Sequence, residues 1–176
     1  METNILIPKT WGEFVVKAAT LNTQKGIDYE NAYMDALLDG TMDGRTIWAW
    51  EAKKKLNRLR SWVKRGELLV KTEGALDSVI DIFNYTLMYE LSSRNFPYAD
   101  LLYDEFVAAY HYYGFTYLAN YLTCKSFTGL KLLDTTKEID RKVYDVLLGY
   151  TGGTNRKLNT RGLILCQTEG GTLTID

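Results

Sequence analysis

Histidine is nearly missing from this chain. Its single copy, His111, sits among aromatics in AAYHYYG. One histidine excludes a multi-histidine metal centre and disfavours Ser-His-Asp or Cys-His catalysis; packing or surface exposure is the plainer role. Cysteine is almost as scarce. Cys124 and Cys166 are far apart and match no metal-ligand spacing, so two reduced, buried thiols are expected. Any metal would then be held by oxygen, which favours Mg²⁺ or Mn²⁺. Pro8 and Pro97 are the only prolines, which leaves room for long uninterrupted helices between them. Charge of one sign is lacking too. The formal net charge is −1, so no global field draws in nucleic acid or a membrane surface. No run of apolar residues is long enough to span a bilayer, and METNILIPKTW has no basic leader followed by an apolar core. A cytoplasmic protein with no membrane partner is expected.

What is present is a chain of 176 residues, 46% apolar and 24% charged, with 13 tyrosines against 6 phenylalanines. That is enough for a soluble domain with a real core. Tyrosine suits half-buried surfaces and base stacking, and it also fills cores.

Periodicity predicts a mainly α protein, a multi-helix bundle ending in a short β-hairpin. A first helix is expected over about 11–23, with Phe14, Val15, Ala18, Ala19 and Leu21 mostly on one face, and KGIDYENAY breaks it at Gly26. A second is expected over about 29–38. DGTMDG reads as a loop. A strong helix over about 46–64 has Ile47, Trp50, Leu56, Leu59 and Val63 as its core side, and Gly66 is its C-terminal glycine. A helix over about 73–91 follows, then a break at SSRNFP. Further helices are expected over 98–113, 115–124 and 137–148, punctuated by Gly114, Gly129 and Gly149. LILCQT and TLTID, joined by EGG, read as the hairpin. The break divides a segment 1–92 from a helical extension 93–176, packed together as one globular unit.

The segment KTEGALDSVIDIFNY at 71–85 is the most informative. Glu73, Asp77 and Asp81 recur every fourth residue and Asn84 follows three later, so a helix aligns them on one stripe. Ala75, Leu76, Val79, Ile80, Ile82 and Phe83 make most of the remaining surface apolar. Carboxylates repeated on a largely buried helix need cationic partners or a metal ion. An internal salt-bridged stripe is the plain reading of the pattern. The preceding helix, with EAKKKLNRLRSWVKR, supplies the cations. Lys55 and Arg58 are i,i+3, with Asn57 between them. They form either a solvated basic face, a clamp for phosphate, or counter-ions for Asp77 and Asp81. KGIDY places Lys25, Asp28 and Tyr29 at a turn. Asp28 either binds or caps the following helix, and Tyr29 either stacks on a base or packs.

Taken together, Lys25-Gly-Ile-Asp28-Tyr29, then Lys55-Leu-Asn57-Arg58-Leu-Arg60-Ser61, then Lys71-Thr-Glu73 through Asp77, Asp81, Asn84 and Tyr85 resemble the nucleotide modification associated domain family of phages and bacteria. Order and spacing agree through about residues 18–91. Glu30 stands where the family has glycine, and Lys54 where it has an acid; residues 92–176 carry no resemblance. The family implies nucleotide metabolism. Its spaced acids are in turn similar to those of the MazG-like all-α NTP pyrophosphohydrolases, although the E-E-x-x-E motif of that superfamily is not evident.

The resemblance implies a Mg²⁺-dependent nucleotide pyrophosphohydrolase acting on a (d)NTP or related nucleotide. Glu73, Asp77 and Asp81 would be the catalytic metal ligands. Lys25, Asp28, Tyr29, Lys55, Asn57, Arg58, Asn84 and Tyr85 would bind the nucleotide. By the same analogy a homo-oligomer is expected. The alternatives are a nucleotide-binding protein without turnover, one that sequesters a signalling nucleotide, and a purely structural helical protein whose acids and bases pair internally.

Overall fold

The computed structural model describes residues 7–29, 31–66, 74–93, 103–124 and 131–152. Six helices account for most of the described residues: α1 (Trp11–Asp28), α2 (Ala32–Asp39), α3 (Gly44–Arg65), α4 (Ala75–Ser93), α5 (Tyr103–Thr123) and α6 (Glu138–Thr151). The mainly helical expectation holds. Residues 163–176, where the hairpin was expected, lie outside the described residues.

Local chemistry explains the helix ends. Thr10 caps α1, its hydroxyl oxygen accepting from the Glu13 N–H at 3.1 Å. Asp43, the second acid of DGTMDG, caps α3 by accepting from the Thr46 N–H and hydroxyl. Such caps satisfy amides that the first helical turn leaves unpaired. Gly66 closes α3 in the left-handed region, φ 80°, where a Cβ would be strained, and its N–H donates to the Trp62 carbonyl. Gly114 separates two helical stretches within α5 as expected, its φ 81° and ψ 170° being non-helical. Gly26 does not end α1 as expected. The helix runs one more turn, to Asp28, and the reversal comes at Asn31, which adopts φ 58°. Asparagine is among the few side chains that tolerate this region.

α4 is the central helix and packs against each of the other five. It is buried on nearly every side, as its largely aliphatic and aromatic sequence requires. Its polar residues are therefore each matched by a surrounding element. Ser78 accepts from Arg58 Nε of α3 at 3.2 Å. Thr86 accepts from the Trp48 indole N–H of α3 at 3.0 Å. Asn84 donates to the Ala18 carbonyl of α1 at 3.0 Å and accepts from the Tyr110 hydroxyl of α5. Glu90 accepts from the hydroxyls of Tyr117 and Tyr121, also on α5. These directional contacts fix the rotation of a helix whose apolar surface alone would leave it underdetermined.

One hydrophobic core joins both halves of the chain: Phe14, Val15, Leu56, Leu59, Phe83 and Leu87 pack with Phe106, Tyr110, Leu118, Val143 and Leu147. Trp11 stands in the aromatic part of it, stacked on Phe14 and edge-on to Phe83, Tyr110 and Phe115. Cys124 is buried as expected but is disulfide-bonded rather than a reduced thiol; Cys166, the other cysteine, lies outside the described residues.

Candidate nucleotide site

Three helices bring charge to one place. Lys25 occupies the last turn of α1, where the helix dipole favours a cation. Lys55 lies midway along α3. Asp81 lies on the inward side of α4 and is only 3% exposed. Lys25 Nζ donates to Asp81 Oδ1 at 2.6 Å. Lys55 Nζ lies 3.1 Å from Asp81 Oδ2, within ion-pair range, although Oδ2 receives no hydrogen bond of acceptable direction. A buried carboxylate bracketed by two ammonium groups is a stable arrangement, because each lysine keeps contact with water while the acid does not.

The Lys25–Asp81–Lys55 cluster lines a cavity of about 870 Å³, a size that takes small organic ligands. The end of α1, the turn into α2 and α2 itself, the first half of α3 and one side of α4 form its walls. Tyr29, Tyr33, Tyr85 and Trp50 supply aromatic surface, and Met34, Met42, Met88, Leu21 and Ile47 supply aliphatic surface. Tyr33 and Tyr85 sit ring to ring at 4.6 Å, and the Tyr33 hydroxyl donates to the Tyr85 carbonyl. Tyr29, Trp50 and Met42 are exposed. Lys54 Nζ lies 5.9 Å from the centre of the Trp50 ring and pairs with Glu51 at 2.7 Å.

Seven residues singled out from sequence line this cavity: Lys25, Tyr29, Lys55, Asp77, Asp81, Asn84 and Tyr85. Three do not. Asp28 is exposed at the end of α1, and Asn31, not Asp28, holds the cap position of α2. Asn57 is exposed and accepts from Arg60 Nη1 at 2.8 Å. Arg58 turns to Ser78 instead of joining Lys55, since residues three apart on a helix differ by about 60° in direction. Asn84 lines the cavity, but both ends of its amide are engaged by α1 and α5. Glu73 lies outside the described residues.

Asp77 Oδ2 accepts from the Gly74 N–H at 2.9 Å, so this acid closes the first turn of α4. Asp81 already faces two ammonium groups. Among the described residues no three His, Cys, Asp or Glu side chains converge as a metal site requires. Of the acid stripe, Asp81 is matched by lysine and Asp77 by the helix backbone, and Glu73 lies outside the described residues.

Sequence reasoning missed Trp50, Tyr33 and Asn22 as lining residues. Trp50 was expected in the core, yet it is 62% exposed and Trp48 takes the buried position. Two residues apart on a helix point to nearly opposite sides, so the pair itself was a signal that one tryptophan faces outward. Elsewhere, Asp140 is bound by Arg60 through Nε at 2.8 Å and Nη2 at 3.2 Å. Burial pushes the Asp140 carboxyl up, but the Arg60 hydrogen bonds, the Asp134 N–H and nearby positive charge outweigh it and hold the group below its ordinary value.

No family model matches this chain, and neither does any curated protein or solved structure. No helix among the described residues is long and apolar enough to cross a membrane.

Proposed function

We propose that this chain is a nucleotide-binding protein whose ligand sits in the α1–α4 cavity. One observation carries the reading: two lysines, preset by a shared buried aspartate, stand in the wall of a nucleotide-sized space with aromatic walls. Lysine ammonium groups hold phosphate oxygens. Tyr29, Tyr85 and Trp50 offer flat faces to a base. The resemblance of the three motifs to the nucleotide modification associated domain family points the same way, since Lys25, Lys55, Asp81 and Tyr85 come from all three motifs and line one cavity.

Binding without turnover is favoured over pyrophosphohydrolysis. Metal-assisted attack on a phosphate needs carboxylates open to the ion, whereas Asp81 is paired with lysines and Asp77 with the helix backbone. Calorimetry of the full chain with a panel of nucleotides in EDTA tests this. Metal-independent binding, with ligand recovered intact, is the expected result. Release of pyrophosphate or phosphate on adding Mg²⁺ or Mn²⁺ would restore the hydrolase reading, and no binding of any nucleotide would reject both.

A further inference from the structure

Apolar surface is exposed around the α1–α4 cavity. Tyr29 is 66% exposed, Met42 59% and Trp50 62%, and all three line it. A lone exposed apolar side chain is ordinary. These three come from the end of α1, the loop before α3 and α3 itself, and they converge on one cavity. The charged part lies deeper, since Asp81 is almost fully buried and Lys25 is bonded to it. The cavity is thus graded from a buried, charged floor to an aromatic rim. Tyr33 and Tyr85 are turned to each other inside it, whereas the rim faces water. Trp50 has a fixed neighbour even so: Lys54 Nζ stands 5.9 Å from its ring centre and is itself held by Glu51.

We propose that the base of the ligand stacks on the Trp50 indole at this rim, with its phosphate directed inward to Lys25, and that the site thereby prefers purine nucleotides. The inference rests on the nucleotide reading above and assigns the base end of its ligand. A base laid on an aromatic side chain is bound through its π-face, and the gain grows with the area covered, so a two-ring base gains more than a one-ring base. Indole offers the largest such face, and Met42 supplies a polarisable thioether beside it that adapts to a ring edge. Position along α3 fits the assignment. Trp50 and Lys55 both line the cavity, and five residues of helix separate them by about 7.5 Å of rise, a spacing that a pentose bridges between base and phosphate. Stacking also withdraws from water an indole that the fold itself leaves exposed.

The test is calorimetry of the full chain in EDTA with the four common ribonucleoside monophosphates and with ribose 5-phosphate, which keeps the sugar and phosphate but has no base. Purine monophosphates are expected to bind more tightly than pyrimidine monophosphates, and roughly tenfold or more tightly than ribose 5-phosphate. Trp50→Leu is expected to weaken the purine nucleotides by a similar factor and to leave ribose 5-phosphate unaffected, and Trp50→Phe to recover most of the loss. Ribose 5-phosphate bound as tightly as the purine nucleotides, or full nucleotide affinity in Trp50→Leu, overturns the base site while leaving nucleotide binding intact. Equal losses for ribose 5-phosphate and nucleotides in Trp50→Leu overturn it too, because the indole would then act on the fold and not on the base. Sedimentation of both proteins covers the remaining use of such a rim: a wild-type dimer that Trp50→Leu dissolves, with nucleotide affinity unchanged, makes the rim a contact between copies of the chain and overturns the proposal. Pyrimidine nucleotides bound as tightly as purine ones overturn the preference. Absence of binding by every compound overturns the nucleotide reading and this inference with it.

Discussion

Lys55 and Arg58 are three residues apart on α3 and serve different purposes. Lys55 meets Asp81 in the cavity wall, whereas Arg58 satisfies the fully buried Ser78 hydroxyl. Truncation separates the two. Lys55→Met is expected to weaken nucleotide binding by roughly tenfold or more, as the loss of one charge-assisted contact implies. Arg58→Met is expected to leave affinity unchanged and to lower unfolding free energy by about 1 kcal/mol, the usual cost of a lost interior hydrogen bond. Binding isotherms and urea titrations of both variants check the pair. Similar affinity losses in both would place Arg58 in the site. At Asp140 the effect depends on pH. Its carboxyl is depressed from an ordinary value of 3.8 by the Arg60 fork acting against burial. The folded state therefore holds its proton less tightly than the unfolded chain. The resulting stability is present above the ordinary value and disappears as pH falls from there through the depressed one. Arg60→Met is expected to cost most at neutral pH, with its stability deficit shrinking under acid conditions below 3.8. A deficit independent of pH would mean the guanidinium acts by packing alone.

Helix ends carry their own predictions, because they were set by short-range chemistry. Gly66 ends α3 at φ 80° with nothing within 4 Å of an added Cβ, so the cost of Gly66→Ala is conformational and not steric. A loss of about 1 kcal/mol is expected, from forcing a Cβ into the left-handed region. Thermal unfolding measures it, and an unchanged midpoint would show that the α3 terminus relaxes freely. The extra turn of α1 has a functional consequence. By carrying the helix through Gly26, it puts Lys25 in the final turn, pointing toward α4, and leaves the reversal to Asn31. A helix ending near residue 23 would have left Lys25 in a loop, without a fixed path to Asp81.

Across the molecule, the buried hydroxyls of Tyr89, Tyr121 and Tyr144 shift the same way. Burial first, and then the charges of Asp43 and Glu90 against the opposing effect of Arg45, push Tyr89 from 10.0 to about 12. Tyr121 is driven up by burial and by Glu90, and Tyr144 by burial and Asp145. A raised phenol pKa means the folded state keeps a proton that the unfolded chain would release. That stability is complete below the ordinary tyrosine value of 10.0 and drains away as pH climbs beyond it. Unfolding free energy is expected to fall steadily on the alkaline side, with phenolate absorbance rising cooperatively with the loss of helix signal. Full phenolate formation at the ordinary value with helix content intact would contradict the burial of these groups.

The order of helices, the caps at Asp43 and Gly66, and the stripe of Asp77, Asp81 and Asn84 were written in local sequence, since each depends on spacing or on contacts a few residues away. Which acid meets which base was not. Asp81 and Lys25 are 56 residues apart and Arg60 and Asp140 are 80 apart, and no pattern along the chain specifies such pairings. Sequence allowed a metal ion or a basic side chain as the partner of Asp81. Packing α4 between α1 and α3 chose lysine, because a carboxylate withdrawn from water takes the nearest mobile cation that its neighbouring helices supply. The same packing turned Arg58 and Asn57 away from the cavity and Trp50 toward it, a choice made by helix rotation, which only tertiary contact fixes.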